Sequence, residues 1–195
     1  MVMLIAGLAL FLGVHSVAIL APGARAAGIR RLGERGWKGL YALISAAGIV
    51  LICYGFSVAR REPVVLYSPP LWLHHLTLLL MIPVFPLLLA AYLPGRIKAA
   101  VKHPMLLAVK IWALAHLLAN GTLADVLLFG GFLIWAGADR MSVKRRAVQA
   151  PVPGAPPRPW NDAVAVIAGL ALYALTVTWL HFKLFGVSPL AMIAT

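Results

Sequence analysis

Six histidines punctuate a chain of 195 residues that is otherwise mostly apolar. Four of them, His15, His74, His75 and His116, fall inside or near long apolar runs, as do Lys110 and Asp125. Ionisable groups at such depth are costly and each needs a physical reason. A neutral imidazole can ligate a metal, pass a proton or hydrogen-bond a neighbouring helix. His116 is the most informative of the set. Trp112, Ala113 and Asn120 share its helical face at i−4, i−3 and i+4, and Ala113 leaves room beside the ring. That environment suits a flat macrocycle ligated by imidazole; it also suits an interfacial histidine bonded to the next helix.

The other polar residues carry weaker signals. His15 shares a face with Leu8, Phe11 and Ile19, where a helix-packing hydrogen bond is the simple alternative to ligation. His74 and His75 must point to different faces, so only one of them easily turns inward. Lys110 lies about two turns into its helix. Either its ammonium snorkels to the surface or it holds an acidic group, such as a propionate. Asp125 sits in the first turn of its helix, where a negative charge complements the helix dipole. His103 precedes Pro104 and reads as a helix start that could meet an anionic headgroup. His181 reads as part of an aromatic belt. Gly130-Gly131 reads as a close-packing patch between helices. No phosphate loop, nucleophile triad or paired catalytic carboxylates can be assigned.

The elements that must position these residues are helices. The sequence is 63% hydrophobic and only 11% charged, against about 25% charged in soluble domains. Six apolar segments stand out, at 2–21, 39–59, 71–93, 104–119, 122–139 and 162–182, most near the ~20 residues that cross a bilayer. The expected fold is therefore all-α, a polytopic bundle of six transmembrane helices. Segments 104–119 and 122–139, joined by Asn120-Gly121, form a tight hairpin. Pro83 and Pro86 should kink the third helix. The first segment is read as a retained helix, because it lacks the positive n-region of a signal peptide.

Net charge is +12, yet the basic residues cluster between apolar runs and form no nucleic-acid module, so no nucleic-acid partner is expected. Thirteen of the seventeen Lys and Arg fall in loops 22–38, 94–103 and 140–161. Only Arg60, Arg61 and Lys183 lie on the opposite side, and Lys110 lies inside a span. By the positive-inside rule the three rich loops face the cytoplasm and both termini lie outside. Three parts are expected: a five-helix membrane domain over 1–146, an extended and poorly ordered proline-rich cytoplasmic linker over 147–161, and a sixth helix with a short tail over 162–195. The single cysteine, Cys53, allows no intrachain disulfide.

The string HPMLLAVKIWALAHLLANGTLADVLLFGGFLIWAGADRMSVKRR resembles the NnrU family of bacterial integral membrane proteins. So do GLALFLGVHS, YALISAAGIVLICYG, LWLHHLTLLL and AAYLPGRIKA. The resemblance covers most of residues 4 to 146 and implies a multi-pass protein of the bacterial inner membrane, in a family associated with nitrite and nitric oxide reduction. Plant zeta-carotene isomerase is similar. Through its HP…W…AH pattern, matched here by His103-Pro104, Trp112 and Ala115-His116, the resemblance implies haem b. It makes His116 a candidate axial ligand and His15 its candidate partner. The cysteine of that enzyme, three residues before the histidine, is Ala113 here.

Depth along the helices leaves the pairing open. His15 and His116 are expected at levels roughly 10 Å apart, whereas two axial nitrogens on one metal lie only about 4 Å apart. His75, nearer the outer end, is the alternative partner. The cofactor-binding set expected from sequence is therefore His116, His15, His75, Lys110, Trp112 and Asn120, with the three histidines as metal ligands. Two functions are carried forward. One is a haem b protein with a redox or isomerase-like role, acting with an electron-transfer partner or on an apolar polyene. The other is a non-enzymatic assembly factor or small transporter serving a respiratory reductase. A membrane methyltransferase or reductase ranks below both, because no segment is long enough to hold a nucleotide cofactor.

Overall fold

The computed structural model describes residues 1–145 and 154–193, and every regular element among them is helical. In chain order these are α1 (Val2–Leu20), α2 (Pro22–Ala59), α3 (Leu71–Met81), α4 (Val84–Tyr92), α5 (Arg96–Val101), α6 (Pro104–Ala119), α7 (Leu123–Arg145) and α8 (Asn161–Leu175). A π-helical turn, Thr176–Leu180, carries α8 directly into α9 (His181–Phe185). Five stretches are long and apolar enough to cross a membrane: Val2–Leu20, Pro22–Ala59, Leu71–Tyr92, Leu123–Arg145 and Asn161–Phe185. The sixth expected span, Pro104–Ala119, has 16 residues, or about 24 Å at 1.5 Å per residue. That is short of the ~30 Å hydrocarbon core.

Two elements depart from the sequence reading. Residues 22–38 are expected as a loop but are helical, and α2 runs through them with one break at Gly33, whose φ is +70°. Glycine adopts that backbone without a Cβ penalty. The break leaves Pro22–Leu32 as a short basic helix ahead of the apolar span. The second departure concerns the linker. Of the expected 147–161 segment, residues 147–153 lie outside the described residues, and 154–160 are tied down. The Ala155 amide donates to the Tyr92 carbonyl at 2.9 Å. Asn161 Nδ2 donates to the carbonyls of Pro94 and Pro156 at 2.8 and 3.1 Å. The expected kink is present: the helix breaks at Ile82-Pro83 and resumes as α4.

Packing order is α2–α1–α7–α6–α4–α8, with α3 also against α6. Between α1 and α2 the contact is made by small residues. A Cβ on Gly7 would sit 2.6 Å from the Ile52 nitrogen, and one on Gly48 would sit 2.9 Å from the Phe11 nitrogen. Gly55 abuts the Leu4 backbone in the same way. Without a hydrophobic drive between helices in lipid, such close backbone approach supplies the attraction. Gly131 meets Leu12 and Leu8 of α1 at ordinary contact distance, whereas a Cβ on Gly130 would meet nothing. The expected packing patch is therefore one glycine.

The two ends of the bundle are fastened differently. At one end, Asp162 accepts from the backbone amides of Arg96 and Ile97 at 2.7 and 3.1 Å, so the start of α8 caps α5. At the other, the hairpin tip between α6 and α7 is stapled to the loop after α2. Leu66 and Tyr67 amides donate to the Gly121 carbonyl at 2.8 and 3.2 Å, and the Leu123 amide donates to Val64 at 2.8 Å. Arg60 donates to the Phe185 carbonyl at 2.9 Å, joining the end of α2 to the end of α9.

Candidate functional site

His116 occupies the last turn of α6. Its flanking alanines, Ala113 and Ala115, are fully buried, so small side chains let the neighbouring helices close around it. His116 Nδ1 lies 2.8 Å from the Trp112 carbonyl. A carbonyl can only accept, so Nδ1 carries the proton, and in the neutral ring Nε2 keeps a free lone pair. The ring stacks on Phe129 of α7, with centroids 4.6 Å apart and planes at 28°. Asn120 does not reach the ring. Its Nδ2 donates to the His116 carbonyl at 2.8 Å, closing the helix end. The Tyr67 hydroxyl, from the loop after α2, donates to the Leu117 and Asn120 carbonyls. Burial, reinforced by the negative charge of Asp125, raises the Tyr67 pKa above its ordinary value and keeps it a donor.

From His116 an aromatic array runs through the bundle. Phe129 meets Trp112 at 5.1 Å, Trp112 meets Phe132 at 5.5 Å, and Phe132 meets Phe11 of α1 at 5.6 Å. The first two are edge-on, at 72° and 89°, the favoured arrangement of two quadrupoles. His15 closes the array, stacked on Phe11 at 4.1 Å. His15 repeats the device of His116: its Nδ1 donates to the i−4 carbonyl, here Phe11, at 2.7 Å. Tyr41 and Trp135 flank it at 5.0 and 5.9 Å. Trp135 Nε1 is buried and has no hydrogen-bond partner among the described residues. A buried orphan donor of this kind is uncommon and marks a place for an acceptor.

The six residues expected from sequence thus divide. His116, Trp112 and Asn120 come together. His15 lies at the far end of the array, because its neighbour Trp135 is six residues along α7 from Phe129, a rise of about 9 Å. His75 is exposed, and its Nδ1 donates to the Leu71 carbonyl at 3.2 Å. The α3 face that meets α6 is set by Thr77, whose hydroxyl donates to the Ala115 carbonyl at 2.8 Å. His74, three residues before Thr77, shares that side; His75 does not. The inward histidine of the pair is therefore His74. Lys110 lines a separate cleft with His103 and Arg140 at the opposite end of α6. Among the described residues, no group of three or more His, Cys, Asp and Glu is placed to hold a bare metal ion.

The donor chemistry fits haem at one histidine. Both rings present Nε2, the nitrogen haem iron takes, with orientation fixed by the Nδ1 bond. The α7 residues that the two histidines pack against, Phe129 and Trp135, are roughly 9 Å apart in rise, more than the ~4 Å between two axial nitrogens, so this arrangement does not bring the two together on one iron.

The sequence model of the NnrU protein family matches residues 3–189. The chain belongs to the NnrU family. The match extends past the 4–146 core of the sequence resemblance to take in α8 and α9, so the last helix is part of what defines an NnrU protein. No curated protein and no solved structure matches the chain significantly.

Proposed function

We propose that this NnrU protein binds haem b in the bacterial inner membrane. Its three basic segments would face the cytoplasm and both termini the outside. The observation that carries the reading is His116: a part-buried imidazole in the last turn of an apolar helix, oriented by the Trp112 carbonyl, with Nε2 uncommitted among the described residues at the head of an aromatic array. Haem held there by His116 would supply exchange of one electron or activation of a small or apolar ligand. This supports a redox or isomerase-like role, in nitrogen-oxide or isoprenoid metabolism. His116 would hold the group, Trp112 and Phe129 orient the imidazole, and the Phe132–Phe11 contacts connect it to His15.

The transporter alternative would need charged groups on a continuous path. Asp125 is engaged instead by the Thr122 amide, at 3.0 Å, in the cap of its own helix, and Lys110, midway along α6, lines a separate cleft with His103 and Arg140.

The test is spectroscopic. Protein expressed with ample haem and purified in detergent should show a Soret band, His116→Ala should lose it, and His15→Ala should keep it. An absent band, or one unchanged in His116→Ala, overturns the proposal.

A further inference from the structure

A cleft of about 260 Å³ opens where the α5–α6 corner meets α7, lined by Val101, His103, Leu107, Lys110 and Arg140. Its walls are of two kinds. Lys110 and Arg140 bring two basic side chains and His103 an imidazole, while Val101 and Leu107 are apolar. Lys102 adds a third cation at the rim, its charge acting on His103. The negative group that acts on His103 is Asp139 of α7, which has contacts of its own. The corner is tightly made. Lys102 has φ +65° and ψ −45°, the one positive φ outside glycine among the described residues. The His103 amide donates back to the Val101 carbonyl at 2.8 Å. This is the strained γ-turn, rare in proteins, and strained backbone persists where the surroundings hold it for a purpose, as in ligand clamps.

We propose that this cleft binds a phosphate-bearing anion at the membrane surface. Its size suits a headgroup and falls below the roughly 300–1,000 Å³ of sites that enclose a whole drug-sized ligand. Basic pockets between spanning helices on the positively charged side are suited to anionic lipid headgroups. Leu107 and Val101 would lie along the first carbons of an acyl chain, and Lys110 and Arg140 would take the phosphate oxygens. The electrostatics of His103 agree. Burial first, then Arg140, hold its pKa below the ordinary histidine value, with Asp139 opposing and Lys102 adding. A bound anion would add to the pull of Asp139 and raise the His103 pKa. The inference is independent of haem, since the cleft and His116 sit at opposite ends of α6.

The experiment uses the full chain in nanodiscs and follows the His103 ring by NMR. Three media are compared: phosphatidylcholine alone, phosphatidylcholine with phosphatidylglycerol, and phosphatidylcholine with inorganic phosphate. A rise in the His103 midpoint above its value in phosphatidylcholine alone is expected, and it should be lost in Lys110→Met. If it occurs with phosphatidylglycerol only, the ligand is lipid; if inorganic phosphate also produces it, the ligand is the free anion. Native mass spectrometry should show retained phosphatidylglycerol weakened about fivefold by Lys110→Met, the effect of removing one cation beside anionic lipid. Arg140→Gln serves as the second variant, should Lys110→Met fail to fold. Equal midpoints in all three media, or a rise that survives both variants, overturns the proposal.

Discussion

Asp162→Ala should loosen the basic end of the bundle without touching the aromatic array. The Asp162 carboxylate accepts two backbone N–H groups across a sequence separation of more than sixty residues, Arg96 at 2.7 Å and Ile97 at 3.1 Å. It thereby serves as the N-terminal cap of α5, which has no cap of its own. Hydrogen bonds to a charged group contribute about 1.5–3 kcal/mol each when sheltered, and removing a cap costs about 0.5–2 kcal/mol. The site is only partly buried, so water recovers much of the first figure, and about 2 kcal/mol is expected. For a chain of this size that lowers the thermal midpoint by roughly 4–8 °C. Asp162→Asn keeps one acceptor and should lose about half as much. Loss of the cap also exposes Arg96 and Lys98 to trypsin, because α5 must open for cleavage. The assay is thermal unfolding in detergent, with timed tryptic digestion read by mass spectrometry. An Asp162→Ala protein with an unchanged midpoint and unchanged cleavage at Arg96 and Lys98 refutes the cap. The Soret band should persist, so a band lost with Asp162 would mean the two ends of the bundle are coupled.

Three further outcomes follow from the packing and electrostatics. Gly55→Leu, whose side chain would run into the Leu4 backbone, should separate α1 from α2 at a cost of about 1–3 kcal/mol, whereas Gly13→Leu, with open space at its Cβ, should be tolerated; thermal midpoints of the two variants decide it. Gly121→Ala puts a methyl against the Tyr67 carbonyl and should open the staple at the hairpin tip, seen as faster hydrogen exchange at the Leu66, Tyr67 and Leu123 amides. Because the His103 pKa is lowered in the folded protein, the unfolded chain binds the proton first as pH falls through about 6.5, so stability should drop from there down to the folded pKa. His103→Gln should flatten that part of the midpoint's pH dependence between pH 7.5 and 5.5.

Much of this protein was legible in its sequence, because lipid imposes a simple rule. A backbone in hydrocarbon must satisfy its own hydrogen bonds, so each long apolar run can only be a helix. The hairpin at Asn120-Gly121 and the break at Pro83 followed from local chemistry alone. The sequence also singled out His116, since Trp112 and Asn120 at i−4 and i+4 follow from helical periodicity.

What lay beyond it concerned relations between helices. Periodicity assigns residues to faces but does not say which face meets which neighbour. Nothing local told His74 from His75; the Thr77 bond to Ala115 on another helix did. The aromatic array joins α1, α6 and α7 through rings whose order is a matter of packing. The basic helix before Gly33 was concealed by its charge, which reads as loop when the apolar pattern is the main guide. The docking of the linker rests on Asn161 and Asp162 reaching backbone groups some sixty residues away, and no window of sequence contains both partners. The sequence by itself determined the helices and the residues able to do chemistry, because both depend on neighbours in the chain. Only tertiary structure decided that His116 and His15 end the same array at different depths, and that Lys110 joins His103 and Arg140 instead, because those distances depend on how separate helices slide past one another.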